Sequence, residues 1–219
     1  MNDTAGNYRY SNEWFAKTAL HWPGLFKAVH WDAAHPNVIV EVGSFEGASA
    51  VWMLTNLMHH QDSRLYCLDT FAGGIEHSSK EIEGLEERFR HNIGLSGRAN
   101  QVEVLKARSI EGLVSLVARG IKADFIYIDG SHMAADVMAD AVLSWEMLRP
   151  GGLMVFDDYL WPVFQDQPLK NPKTAIDAFV NCHLDQIRFI ASPQRSQFCL
   201  LKKDASARPN SGNNAATST

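Results

Sequence analysis

The sequence predicts an α/β domain in which helices wind over both faces of a mostly parallel sheet, and three observations carry that expectation. Residues 37–52, NVIVEVGSFEGASAVW, pass from an apolar β-branched run (Asn37 to Val42) through Gly43, Ser44 and Gly47 into Ala48, Val51 and Trp52 at helical spacing. Strand, tight turn and helix thus follow within one short unit. Further short apolar runs alternate with segments of helical period, and three of them end in acid: Asp69, Asp129 and the pair Asp157-Asp158.

The elements follow in order. Residues 11–31 read as two short helices broken at Pro23-Gly24, with Ser11 or Asn12 as N-cap; their aromatics Trp14, Phe15, Trp22 and Trp31 either pack on the domain or close over its crevice as a lid. A helix over 47–59 leads to a second strand, Arg64 to Leu68. After the polar loop 70–79, Ile82, Leu85, Phe89 and Ile93 mark one helix face, with Glu81, Glu83, Glu86, Glu87, Arg88 and Arg90 on its solvated side. Residues 101–106 alternate as a third strand, and Ser109 is the expected N-cap of a helix through Val117. Asp124 to Ile128 is the fourth strand, apolar on both faces. In helix 133–148, Ala134, Val137, Met138, Ala141, Val142, Trp145 and Leu148 form the core face, Asp136 and Asp140 point outward, and Pro150-Gly151-Gly152 stops the helix. Leu153 to Phe156 is the fifth strand. The Pro-rich stretch 159–173, with Trp161 and Phe164, is a candidate lid or acceptor wall, though packing explains those aromatics equally well. Ala175, Ile176, Phe179 and Val180 mark a last helix, and 186–191 and 197–202 close the sheet as an antiparallel hairpin around Pro193. The expected organisation is an N-terminal helical segment (1–36), one domain (37–203) and a disordered Ser, Asn and Ala-rich tail (204–219).

Bulk properties exclude several classes. With 219 residues, 46% hydrophobic and 21% charged, the chain supports one globular domain, and a net charge of -5 gives no footprint for nucleic acid. No apolar run approaches the roughly 20 residues that span a bilayer, and Met1 to Tyr10 shows no signal-peptide pattern, so no membrane partner and a cytoplasmic location are expected. Cys67, Cys182 and Cys199 are odd in number and far apart, which reads as buried thiols rather than a disulfide or zinc framework.

The motifs carry the chemistry. Gly43 permits a sharp turn, Gly47 keeps the first helical turn open so that a ligand can approach main-chain N–H groups, and Glu41 is expected to point into the same crevice, where it suits a cationic or hydroxyl-rich ligand. Asp69, at the end of the second strand, is placed to accept from both ribose hydroxyls of an adenosine, with the turn Ala107-Arg108-Ser109 facing the adenine. Asp129, Asp157 and Asp158 end neighbouring strands; three carboxylates that close call for a proton or a hard divalent cation such as Mg²⁺ between them. The bland reading is that one of them caps a turn and no metal binds. His132, at the start of a helix, is the candidate general base, against a surface or packing role.

With Glu41-x-Gly43-x-x-x-Gly47, Asp69, Ile128-Asp129-Gly130-Ser131-His132 and Phe156-Asp157-Asp158 in view, the chain resembles the class I S-adenosylmethionine-dependent methyltransferases over about residues 37–202. Within that class it is similar to small bacterial enzymes with an IDGSH motif, to metal-dependent O-methyltransferases of antibiotic sugars and to cephalosporin-hydroxylase-type proteins. The resemblance implies a Rossmann-like seven-stranded sheet. It further implies a cofactor-binding set of Glu41, Gly43, Ser44, Phe45, Gly47, Ser49, Asp69, Thr70, Phe71, Arg108, Ser109, Asp129, Gly130 and His132, metal ligands Asp129, Asp157 and Asp158, and catalytic roles for His132 and Asp129. Phe45 replaces the middle glycine of the wider class, Arg108 stands where many relatives place an acid, and Ser131 replaces the second Asp of DGD-type relatives. The implied activity is methyl transfer from S-adenosylmethionine to a hydroxyl of a small molecule, a sugar or vicinal diol, by a protein that could be a homodimer or higher homo-oligomer. Three other readings stay open: a nicotinamide-dependent dehydrogenase, which the absence of G-x-G-x-x-G opposes; a non-catalytic cofactor-binding protein; and a metal-free methyltransferase.

Overall fold

Alternation along the strands sorts the core into two layers. On strand β1 (Val38–Val42) Ile39 faces one side of the sheet and Val40 and Val42 the other; on β4 (Ala123–Ile128) Phe125 and Tyr127 face the first side and Ile126 and Ile128 the second. The computed structural model describes residues 8–204 apart from 75, 76, 162, 165 and 193. Its seven strands run in the order β3-β2-β1-β4-β5-β7-β6, where β2 is Arg64–Asp69, β3 Val102–Lys106, β5 Leu148–Phe156, β6 Ile187–Ile190 and β7 Phe198–Lys202. The first five pair in parallel and β7 is antiparallel to both β5 and β6, as expected. The order reverses between β1 and β4, which opens a crevice at their C-terminal ends.

Helices α1 (Ala16–Ala28), α2 (Ala48–Asn56) and α4 (Leu85–Leu95) cover one face; α5 (Ser109–Ala118), α6 (Ala134–Met147) and α7 (Pro172–Cys182) cover the other. No helix among the described residues is long and apolar enough to cross a membrane.

Several expectations are corrected. The N-terminal segment forms one helix, not two, with Trp22 on it and Trp14, Phe15 and Trp31 flanking it: Pro23 sits inside α1 on its exposed side, while Trp22, Leu25 and Phe26 bury the opposite face and hold the helix together despite the missing N–H. Its N-cap is Phe15, without a side-chain cap, rather than Ser11 or Asn12. The helix expected through Ile82 and Ile93 is split into α3 (Ser79–Ile82) and α4, because Glu83 leaves helical geometry at φ -57, ψ 120. Arg108, not Ser109, caps α5. Leu148 belongs to β5, which begins before Pro150-Gly151-Gly152 and shifts register there. On α6, Val142 is exposed and Asp140 is fully buried, the reverse of the expectation, because α5 packs against the side of α6 that carries Asp140. Cys67 and Cys199 are buried, but Cys182, at the end of α7, is exposed. The expected disorder of the tail beyond residue 204, and the hairpin centre Pro193, lie outside the described residues.

Candidate cofactor and acid site

Four strand ends are joined side by side where the chain turns away from the sheet. Gly43 N–H donates to Leu68 O (2.9 Å), Asp129 N–H to Val42 O (2.8 Å) and Asp157 N–H to Ile128 O (2.9 Å), linking β2, β1, β4 and β5. Gly43 permits this approach: it sits at φ +84, and a Cβ there would lie 2.1 Å from the carbonyl oxygen of Asp129. Gly47 is also left-handed (φ +79), but a Cβ would meet the Phe89 ring at 3.0 Å. The side on which a Cβ would stand is therefore filled by α4.

The expectation for Glu41 is corrected. Its position on β1 turns it beneath the loop, fully buried, where it accepts from Ser44 Oγ (2.6 Å), from Ser49 Oγ and from the Cys67 thiol (3.5 Å). Burial pushes its carboxyl up to about 7 against the pull of these hydroxyls, and burial likewise raises the Cys67 thiol. Glu41 thus braces the loop from inside. Asp69 braces it from the other side: Oδ2 accepts from the N–H groups of Ser44 (2.8 Å) and Phe45 (2.7 Å), and Oδ1 from Phe71 N–H (2.6 Å). A carboxylate has about four lone-pair directions, so acceptor capacity remains on Asp69 after these three bonds. Phe71 is buried against Phe89, Thr70 is exposed, and Arg108 and Ser109 stand at the start of α5.

Glu46 escaped the sequence reading. It is buried, pairs with Arg88 Nε at 2.5 Å, and accepts from Ser11 N–H at 2.7 Å. Arg88, expected in solvent, is drawn in by that pair and by the carbonyls of Glu81 and Glu83. Trp14 stacks on Phe45 (5.4 Å) and meets His77 (5.4 Å), so the N-terminal segment is tied across the β1–α2 loop.

Beside this loop, Asp129, Gly130, Ser131, His132, Asp157 and Asp158 line one narrow cleft. The Tyr127 hydroxyl, which sequence reading also missed, contacts Asp129 Oδ2 (3.0 Å) and Asp157 Oδ2. A tyrosine in a buried strand needs a partner for its hydroxyl, and that need was the available signal. Gln197 Nε2 donates to Asp157 Oδ2 (2.9 Å) and Asp158 N–H to Oδ1 (2.8 Å). Burial, with Asp157 and Asp158 nearby, raises Asp129 well above the usual carboxylate range, and burial with Asp158 raises Asp157. Asp158, left-handed at φ +54, pairs with His132 Nε2 at 2.7 Å. The His132 ring stacks on Trp161 at 3.9 Å. Ser131 Oγ donates to Asp136 and accepts from Met133 N–H, holding the turn into α6.

Crowded carboxylates on a polar cleft are a donor set whose chemistry fits a hard, oxygen-liganded cation. The acids are not gathered as a ligand set: among the described residues no group of three or more His, Cys, Asp or Glu side chains stands at metal-ligand spacing, and Asp157 bonds to Tyr127 and Gln197 while Asp158 pairs with His132.

The strand order, with its antiparallel hairpin beyond β5, defines a Rossmann-like methyltransferase fold. A sequence profile described as a methyltransferase domain matches residues 40–159, from β1 to just past the Asp157-Asp158 pair, and the chain belongs to that family. An uncharacterized protein of Acanthamoeba polyphaga mimivirus is 29% identical over 125 residues, 55% of this chain and 50% of that protein, so the chain spans about half the length of the curated relative it matches. Among solved structures, the TDP-rhamnose 3'-O-methyltransferase of calicheamicin biosynthesis superposes with TM-score 0.59 at 17% identity, covering 86% of this chain and 80% of that one. The O-methyltransferase of Bacillus cereus, in complex with SAH, gives 0.62 at 18% identity over 91% and 86%. The O-methyltransferase TomG of Streptomyces achromogenes, in complex with SAM, gives 0.58 at 18% over 91% and 83%. At these identities the likeness is one of fold.

Proposed function

We propose that this protein transfers the methyl group of S-adenosylmethionine to a hydroxyl of a small molecule, a sugar or other vicinal diol. The observation that carries the reading is the juxtaposition, at the C-terminal ends of adjacent strands, of a braced strand–turn–helix loop with an acid cluster and an oriented histidine. A non-catalytic binding protein would have no use for that second half. Family membership and the fold of O-methyltransferases with bound SAH or SAM support it.

In this reading the loop Gly43 to Gly47 and Asp69 receive the cofactor, and Arg108 and Ser109 flank its adenine. The acceptor oxygen forms a bond to the methyl carbon as the carbon–sulfur bond breaks, and the hydroxyl proton passes to His132. Asp158, 2.7 Å from Nε2, orients the imidazole and stabilises it once charged, while Trp161 holds the ring plane. The metal-dependent form of this reading requires Asp157 to release Tyr127 and Gln197, and Asp158 to release His132, and both to converge with Asp129 on a divalent cation of the Mg²⁺ type, which would neutralise the acids and favour the acceptor's alkoxide. A metal-free variant is the second reading, favoured by the donors that Tyr127 and Gln197 already present to Asp157.

Isothermal titration with S-adenosylhomocysteine, with Mg²⁺ and with EDTA, on the wild type, Asp129→Ala and Asp157→Ala, tests this. Cofactor binding plus a metal heat that both substitutions abolish supports the metal-dependent enzyme. Cofactor binding without any metal heat selects the second reading, and no binding of S-adenosylhomocysteine sinks the proposal.

A further inference from the structure

A polar chain reaches Asp157 from helix α1. The Trp22 indole, fully buried, donates from Nε1 to Gln197 Oε1 at 3.1 Å across 175 residues of sequence, and Gln197, itself 3% exposed, donates from Nε2 to Asp157 Oδ2 at 2.9 Å. An indole nitrogen can only donate, so the Gln197 atom facing it is the carbonyl oxygen, and the amide nitrogen is the end aimed at Asp157. With no donor on that side the amide could reverse and set an oxygen lone pair against the carboxylate. Trp22 has no room to turn away: its ring meets Phe15, Trp52, Phe125 and Tyr127 edge to face at 5.0 to 5.8 Å. Tyr127 carries the hydroxyl that also contacts Asp157 Oδ2, so one tryptophan bears on both side-chain donors of that oxygen.

We propose that Gln197 is a positioning residue for Asp157 in the methyl-transfer site and that Trp22 sets its orientation. Both lie outside the matched residues 40–159, so α1 and the residue that leads into β7 belong to the working site as well as to the scaffold. The proposal rests on the reading that Asp157 serves methyl transfer. Its role there is to hold that carboxylate in one rotamer, facing Asp129 across the Tyr127 hydroxyl.

The test is nuclear magnetic resonance of the full chain carrying ¹⁵N-labelled tryptophan and ¹³C-labelled aspartate. Loss of a signal in Trp22→Phe assigns the Trp22 indole, and loss in Asp157→Asn assigns the Asp157 carboxyl carbon. In Gln197→Met the Trp22 N–H resonance should shift upfield and the Asp157 carbon should move. Trp22→Phe should move the Asp157 carbon although the indole N–H bonds to Gln197 and not to Asp157, and Asp158→Asn should leave the Trp22 resonance in place. An unmoved Trp22 resonance in Gln197→Met, or an unmoved Asp157 carbon in Trp22→Phe, overturns the proposal. Should Trp22→Phe fail to fold, the two shifts in Gln197→Met decide alone, with Trp22 then assigned by through-space contacts to Tyr127. Titration with S-adenosylhomocysteine runs alongside: wild type that does not bind it removes the functional reading while the two shifts still report on the Trp22–Gln197–Asp157 chain.

Discussion

At the scale of single residues, the acids of this protein divide by what surrounds them. Asp69 meets three backbone N–H groups, whereas Glu41 meets two hydroxyls and a thiol in a fully buried setting. Burial therefore dominates Glu41 and lifts it from its ordinary 4.5 to about 7. The folded protein holds that proton while the unfolded chain releases it, so Glu41 costs nothing below its unfolded pKa and destabilises progressively as pH rises through its folded one. The loss amounts to about 3 kcal/mol at ~1.4 kcal/mol per unit. Glu41→Gln should flatten this part of the profile, making the variant more stable relative to wild type at pH 8 than at pH 5 in urea denaturation. An equal difference at both pH values would contradict the assignment. The acid was legible in the sequence as a motif residue; its burial was not, because the motif gives its place on the strand but not what closes over it.

At the scale of elements, two helices carry consequences that their periodicity did not announce. In α1, Gly24 is exposed, has ordinary helical backbone, and has nothing within 4 Å of where a Cβ would stand. Gly24→Ala should stabilise the protein by about 0.5–1 kcal/mol, read as an unchanged denaturant slope with a higher midpoint. In α6, Asp140 is fully buried at the contact with α5, and among the described residues neither carboxylate oxygen has a partner in good hydrogen-bond geometry. Burial raises it to about 7, with Ser109 close enough to offset part of the effect and Asp136 adding to it. Asp140→Asn should stabilise by about 1–3 kcal/mol at pH 8 and by much less at pH 5, where the aspartate is already neutral. A loss of stability at pH 8 would show that the carboxylate has a compensating partner. Helix period placed Asp140 outward because it is defined relative to the sheet; the lateral neighbour α5 makes a second buried stripe that a single-helix pattern does not contain.

At the scale of the whole molecule, these two acids lie on opposite layers, Glu41 with the α1 and α2 side and Asp140 between α5 and α6. They share no partner, so their effects should add to within about 0.5 kcal/mol. Wild-type stability should fall between pH 5 and pH 8, and the double variant Glu41→Gln/Asp140→Asn should lose most of that slope in a series of urea titrations. A double variant as pH-dependent as wild type would place the slope elsewhere, with Asp129 and Asp157 the next groups to consider.

The chain's own order determined the strand–turn–helix at 37–52, the alternation of strands and helices, the final hairpin and the placing of Asp69, Asp129 and Asp157-Asp158 at strand ends. These are local properties: period, turn residues and the position of a polar group after an apolar run decide them over a few residues. Only the tertiary structure decided which donor each acid receives. Gln197 reaches Asp157 over 40 residues, Arg88 reaches Glu46 over 42, and Trp22 reaches Gln197 over 175. Such bonds depend on strand order and helix packing, which bring distant segments together, and a buried polar group takes whichever partner that packing supplies.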